Sequence, residues 1–215
     1  LLGREWQLRP GAIASRGWEQ DRLAALYALG QGGVRAVIAT ADGLMARTLP
    51  KDALLRSVFP LENGQRLELA DFAGKLTEAG YARVLQVEGV GQFAIRGGIL
   101  DVFSPLMEKP VRCELFGDEI DSMGLFDPAS QRRVQNVERA LLLACGEVLP
   151  YRAEGGLPGL ADAMEALAKR LRRRQGTEKI VETVLSDAEQ LRGGVLPGGM
   201  DRYLPLIHPR FTTAM

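Results

Sequence analysis

Val111-Arg112-Cys113-Glu114-Leu115-Phe116 alternates with a period of two. Successive side chains of a strand point to opposite faces, so Val111, Cys113 and Leu115 share one face and Arg112, Glu114 and Phe116 the other. The same period runs upstream. Phe93 and Ile95 alternate with Ala94 and Arg96, and Leu85 and Val87 with Gln86 and Glu88. Gly89 to Gly91 and Gly117-Asp118 are turn signals between these runs. Ahead of them Leu69 to Ala79 has helical spacing, with Leu69, Phe72, Ala73 and Leu76 inward and Gly80 as the stop. Val134 to Ala144 closes the series with another apolar run. The pattern predicts a sequential antiparallel sheet preceded by one helix, an α+β module.

Outward from this module the period changes. Ser15 to Leu29 reads as a helix, with Trp18, Leu23, Leu26 and Leu29 near one face and Gly30 as the C-cap. Arg35-Ala36-Val37-Ile38-Ala39-Thr40 is almost continuously apolar, the pattern of a buried strand in a parallel sheet, with neighbours either elsewhere in this chain or missing from it. Pro50 to Phe59 reads as a second short helix. On the other side, Pro150 to Gly159 is rich in glycine and proline and reads as a linker. Two amphipathic helices follow. One carries Leu160, Met164, Leu167, Ala168 and Leu171, and the other, Glu178 to Leu191, turns Ile180, Val184, Leu185, Ala188 and Leu191 inward. Gly193-Gly194 breaks it, and the proline-bearing tail from Leu196 to Met215 reads as irregular.

Composition narrows the function. The 215 residues are 46% apolar and 25% charged, ordinary for a globular protein. With 27 basic and 27 acidic residues the formal net charge is zero, which leaves room for a local basic patch but not for a generally basic, phosphate-gripping surface. Cys113 and Cys145 are too few for a disulfide framework and point to a reduced, cytoplasmic setting. No apolar run reaches the length of a membrane span, and no signal peptide is visible. The chain opens on Leu1-Leu2-Gly3 and reads as a piece of a longer protein.

Catalytic material is scarce. His208 is the one histidine, and Cys113, Cys145 and His208 do not have zinc-ligand spacing. Gly89-Val90-Gly91-Gln92-Phe93-Ala94 matches G-x-G-x-x-A, but a dinucleotide site needs a helix next, and period-two sequence follows; a tight hairpin turn is the better reading. There is no G-x-x-x-x-G-K-[ST] loop and no G-x-S-x-G elbow. Asp118, Glu119, Asp121 and Asp127 lack EF-hand spacing and read as solvated turn and edge charges. No catalytic, metal or cofactor site is expected in this stretch.

Two surfaces remain. Lys169, Arg170, Arg172, Arg173 and Arg174 end a predicted helix, where cations complement the macrodipole; they read either as a solvated helix end or as a contact for nucleic acid or an acidic partner. Arg112 and Phe116, four apart in a strand, share the face opposite the core, with Arg96 on the preceding strand. Aromatic plus arginine is a composition that interfaces favour. The alternative is that Phe116 covers a minor cluster under a loop and Arg112 pairs with Glu114 or Asp118.

The run from Gly91 to Phe103, the run from Pro110 to Ser122, Phe126-Asp127-Pro128 and Ser130-Gln131-Arg132 together resemble the second domain of bacterial transcription-repair coupling factors, which is shared with the excision-repair protein UvrB. Trp18-Glu19-Gln20, Arg22-Leu23, Ala79-Gly80-Tyr81, Val87-Glu88 and Leu196 to Pro205 fit the same pattern, so the resemblance covers nearly the whole chain. UvrB tends to read R-G-D-V-x-E where this chain reads Arg96-Gly97-Gly98-Ile99-Leu100-Asp101, which favours the coupling factors over the equivalent region of UvrB. The resemblance implies an incomplete Rossmann-like first domain with a degenerate P-loop NTPase-like nucleotide site, residues 1–55, interrupted by an inserted antiparallel-sheet-plus-helix docking domain, residues 56–145. Residues 146–215 return to the first domain, whose N-terminal strands are absent. It implies that the inserted domain binds UvrA, with the family's contact positions falling on Arg96, Arg112 and Phe116. A C-terminal autoinhibitory domain of the parent protein masks that surface. RNA polymerase and DNA are engaged by other domains, and ATP and magnesium belong to the parent's motor. No membrane partner is implied.

Overall fold

A computed structural model describes residues 16–46 and 48–208. They form two compact units, residues 16–147 and residues 148–208. Leu1-Leu2-Gly3, Ser15 and the tail from Pro209 lie outside the described residues.

The first unit opens with helix α1 (Arg16–Gln31), α2 (Ala41–Met45) and α3 (Lys51–Leu55). Leu23 and Leu26 of α1 are buried with Leu49, Leu54 and Leu143 in one cluster, as the 3.6 spacing requires. The helix runs through Gly30, and Gly32 (φ 79°) supplies the left-handed turn that ends it. Among the described residues Arg35 to Thr40 pairs in no strand. It is irregular, and Ile38 stands 91% exposed. A continuously apolar strand needs partners on both edges and cover on both faces, and the described chain provides neither. The predicted helix from Pro50 to Phe59 stops at Leu55. Strand β1 (Val58–Glu62) takes over and pairs antiparallel with β8 (Arg139–Leu143), a non-local match that local spacing does not encode.

Helix α4 (Leu69–Glu78) buries Phe72 and Leu76; the Glu68 side chain accepts from the Asp71 amide at its start. Phe59 and Phe72 meet edge to face, ring centroids 6.5 Å apart. Next comes a six-stranded sheet in the order β2 (Ala82–Arg83), β3 (Gln92–Arg96), β4 (Ile99–Val102), β5 (Val111–Phe116), β6 (Glu119–Phe126) and β7 (Arg133–Asn136). From β3 onward it is the predicted antiparallel meander. The edge strand β2 instead runs parallel to β3, so the connection through Gly89 to Gly91 is a crossover loop rather than a tight hairpin, and Leu85 to Glu88 is not a strand. No helix follows Gly91, as the period-two reading required. Two-residue turns at Gly97-Gly98 and Gly117-Asp118 join β3 to β4 and β5 to β6. Gly97 sits at φ 59°, and a Cβ on Gly98 would lie 3.0 Å from the Leu115 carbonyl oxygen.

Register sorts the sheet into two faces. Phe93, Val102 and Val111 stand opposite one another in one cross-strand row and Leu100, Cys113 and Met123 in the next, all buried. The other face carries Ala94, Asp101, Arg112 and Gly124 in one row and Arg96, Ile99, Glu114 and Ser122 in the next. Both cysteines are buried, and neither forms a disulfide among the described residues. Burial pushes the Cys113 thiol up to about 12, with the nearby Asp101 charge adding to the effect.

The start and end of this unit are locked together by a buried ion pair. Arg22 Nε donates to Glu147 Oε1 at 2.8 Å, Arg22 Nη1 donates to the Gly43 carbonyl, and the Thr48 hydroxyl also donates to Glu147. Burial raises the Glu147 carboxyl from its ordinary value against the pull of Arg22.

The second unit is a helical hairpin of α5 (Gly156–Leu171) and α6 (Glu178–Arg192). Leu160, Ala161, Met164 and Ala168 pack with Val181, Val184, Ala188 and Leu191. Helix α5 begins inside the stretch read as a linker, whose first residues form a 3₁₀ turn, Pro150–Arg152. Val184, Leu185, Ala188 and Leu191 face inward as predicted, but Ile180 is exposed and Val181 takes the first inward place. The described part of the tail is ordered by a 3₁₀ turn, Met200–Tyr203, and α7 (Leu204–Ile207), because Tyr203 is buried and donates to Asp187 at 2.5 Å. Among the described residues no helix is long and apolar enough to cross a membrane.

Two measurements check these packing arguments. Glu147→Gln leaves Arg22 without its buried counter-charge and is expected to cost the first unit about 3–5 kcal/mol, read by urea denaturation. His208 has its Nε2 buried with no partner among the described residues, and burial, then the Arg152 charge, lowers its pKa. A group whose folded pKa is depressed is protonated first in the unfolded chain. The second unit therefore keeps full stability above about pH 6.5 and loses it as pH falls through the folded value. Thermal melts from pH 7.5 to 5 compared with those of His208→Leu, which should lose this dependence, test the assignment.

Candidate functional site

The polar face of the six-stranded sheet is organised around Asp101, whose side chain has 0% exposure in the middle of β4. A buried carboxylate requires counter-charge and hydrogen bonds. Arg112, directly opposite on β5, supplies both: Nε donates to Asp101 Oδ1 at 2.7 Å and Nη2 to Oδ2 at 2.9 Å. Arg96 on β3 adds a third donor, Nη2 to Asp101 Oδ2 at 2.6 Å. Two guanidinium groups thus share one carboxylate. The Asp101 carboxylate holds the Arg112 guanidinium above its usual pKa.

Arg112 has further duties. Nη1 donates to the Gln131 carbonyl oxygen at 3.1 Å and Nη2 to Gln131 Oε1 at 3.3 Å. Its guanidinium carbon lies 4.5 Å from the centroid of the Phe126 ring. Phe126 packs with Val87, Ala94 and Phe103 in a small apolar cluster on this same face, and Arg112 lies over it. Gln131, at φ 59°, in turn donates through Nε2 to the carbonyls of Val87 and Pro128. Arg112 therefore pins two loops to the sheet, and its side chain is only 16% exposed. It pairs with Asp101 rather than with Glu114 or Asp118.

The other two positions are accessible. The Arg96 side chain is 43% exposed, with Nη1 reaching the Leu85 carbonyl at 3.5 Å. Phe116, at the end of β5, is 86% exposed and covers no cluster. It stands on the face opposite Leu115, as alternation along β5 predicts, and the Gly97-Gly98 turn lies beside its strand through the Leu115 amide, which donates to the Gly98 carbonyl at 2.8 Å. Asp118, Glu119 and Asp121 line an open hollow with Phe116 and Gly117. Asp127 lies elsewhere: it accepts from the amide and hydroxyl of Ser130, and these bonds lower its pKa. Among the described residues no group of three or more His, Cys, Asp and Glu is placed to hold a metal.

The structure thus brings Arg96, Arg112 and Phe116 onto one face and shows Asp101 as the residue that sequence reading overlooked. The signal was present: a lone aspartate inside Ile99-Leu100-Asp101-Val102-Phe103 must be paired if that run is a covered strand. Lys169 and Arg170 sit in the last turn of α5 and Arg172, Arg173 and Arg174 just beyond it, all exposed. None of these five side chains forms an ion pair among the described residues.

Residues 59–147 match the UvrB interaction domain family. The transcription-repair-coupling factor of Myxococcus xanthus is 38% identical over 187 residues, and that of Escherichia coli K12 is 32% identical over 186, each match covering 86% of this chain and 15% of the relative. The Staphylococcus aureus USA300 protein of the same name is 38% identical over 118 residues, 55% of this chain and 10% of the relative. The chain therefore spans about 15% of the length of the first two relatives. Residues 59–147 belong to the UvrB interaction domain family, and over most of its length the chain is similar to one segment of transcription-repair-coupling factors.

Proposed function

We propose that this chain is the UvrA-recruiting module of a transcription-repair-coupling factor and serves transcription-coupled nucleotide excision repair. Phe116 carries the reading: a phenylalanine 86% exposed on a sheet face that also presents a half-exposed arginine two strands away is the anchor chemistry of protein interfaces. In this reading Phe116 and Arg96 touch UvrA. Arg112 acts mainly by holding Asp101 and the flanking loops, so that Arg96 is presented in one position.

The wider organisation follows the family. The inserted domain of about residues 56–145 sits within a Rossmann-like first domain, part of which lies outside this chain. A C-terminal domain of the parent covers the docking face until stalled RNA polymerase is engaged. ATP, magnesium and DNA belong to the parent's motor.

Truncating such an anchor commonly costs about 2 kcal/mol or more. Phe116→Ala is expected to weaken capture of purified UvrA more than tenfold while leaving the melting temperature within a few degrees. Arg96→Ala is expected to weaken capture likewise and, because it takes a donor from buried Asp101, to lower the melting temperature as well. A folded Arg96→Ala/Phe116→Ala double variant that captures UvrA like the parent chain would refute the assignment.

The unpaired cations Lys169, Arg170, Arg172, Arg173 and Arg174 support a second, separate activity, contact with the phosphate backbone of DNA. Fluorescence anisotropy with a labelled duplex at 50 mM salt should show binding that falls steeply by about 200 mM and is lost in Arg172→Glu/Arg173→Glu. Absence of binding at low salt removes this reading.

A further inference from the structure

We infer that the docking face carries a second apolar anchor, Leu85, and that Arg96, between Leu85 and Phe116, is the cation that a carboxylate of the partner completes. This rests on the UvrA reading above and extends it to residues and chemistry.

Leu85 is 92% exposed. Single exposed leucines are ordinary on protein surfaces, so exposure alone carries little. The fastening of its loop carries more. On one side Val84 packs against the cluster of Val87, Ala94, Phe103 and Phe126, and its amide donates to the Phe93 carbonyl at 2.9 Å. On the other side Val87 is wholly buried, and its carbonyl accepts from Gln131 Nε2 at 3.0 Å. The amides of Glu88 and Gly89 both donate to Gln92 Oε1. With Val84 and Val87 filling the inward positions, Leu85 has no place in the core and is held out in solvent. Its own carbonyl accepts from Arg96 Nη1, so the leucine stands at the rim of the polar face, beside Arg96.

The charges on this face do not balance. Arg96 and Arg112 share the single carboxylate of Asp101, and Glu114 is engaged by Arg133 at 3.0 Å. Within these rows three arginines meet two carboxylates, so a positive charge is left over locally, at the end of the face away from Asp118, Glu119 and Asp121. Arg112 is shielded and saturated with acceptors, so the excess appears at the exposed part of Arg96. At the far end of the face Asp118, Glu119 and Asp121 surround the hollow beside Phe116. Register puts Arg96 opposite Ile99 and Ile99 opposite Glu114, with Phe116 two residues further along β5; two strand spacings are about 10 Å, so one partner surface spans the whole row. The complementary surface on UvrA would have apolar recesses for Leu85 and Phe116, an acidic side chain facing Arg96, and a basic one facing Asp118 to Asp121.

The test is the affinity of the intact chain for purified UvrA by biolayer interferometry. It uses Leu85→Ser, Leu85→Met, Phe116→Ala and Arg96→Gln, with Leu141→Ser on β8 as an exposed-leucine control. Leu85→Ser is expected to weaken binding at least about fivefold with an unchanged melting temperature, and Leu85→Met to stay within about twofold of the parent. Arg96→Gln should weaken binding and flatten its salt dependence, and Leu141→Ser should bind like the parent. If Phe116→Ala weakens binding while Leu85→Ser does not, the second anchor is wrong and the docking face stands. If none of the face variants changes affinity, the docking reading fails and the second anchor with it.

Discussion

A carboxylate with no solvent access sits in the middle of a β-strand between Leu100 and Val102, and much of the first unit is arranged to tolerate it. An isolated charge there would be prohibitively costly, and removing one partner of such a pair typically costs several kcal/mol. Asp101 receives a bidentate guanidinium from Arg112 and a further donor from Arg96. The consequences spread outward. Because Arg112 is held by Asp101, it can hold Gln131 in a left-handed conformation, and because Gln131 is held, it can tie down Val87 and the loop that carries Leu85.

This chain of bonds gives the polar face its character. A sheet face rich in charge would ordinarily be a solvated surface with mobile side chains. Here the arginines are fixed by a buried anion, a small apolar cluster lies beneath them, and loops on both sides are pinned. A surface ordered before binding loses less conformational entropy when it meets a partner. Leu85 projects from this frame because Val84 and Val87 fill the inward positions beside it, and Phe116 projects because alternation along β5 turns it away from the side of Leu115.

The second unit follows a simpler rule. Two amphipathic helices bury complementary stripes, and the tail is ordered by Met200, Tyr203 and Ile207 packing against them and by Tyr203 and Arg202 meeting Asp187. Burial, with the adjacent Asp187 carboxylate, keeps the Tyr203 hydroxyl protonated and therefore able to donate. The basic tip of the hairpin takes no part in this packing.

Local periodicity was enough to read α1, α4, α5 and α6, the strands β3 and β5 and the antiparallel character of the sheet, because alternation of two and of 3.6 is imposed by the geometry of each element alone; β4 and β6 were not read as strands. The outward direction of Phe116 followed from the same rule. Non-local choices were not legible. Whether β2 pairs parallel or antiparallel, which strand β1 finds, and whether the apolar run at Val37 becomes a strand all depend on what other segments offer as neighbours. Val181 takes the first inward place instead of Ile180 because side chains so close on the helix differ only in how the facing helix meets them. The candidate site divides in the same way. Alternation placed Arg112 and Phe116 on one face, and the family resemblance added Arg96; only the tertiary structure decided that Arg112 is largely consumed by Asp101, that Arg96 stays part-exposed and that the Leu85 carbonyl accepts from Arg96, because ion pairing and burial depend on distances between strands that the sequence does not state.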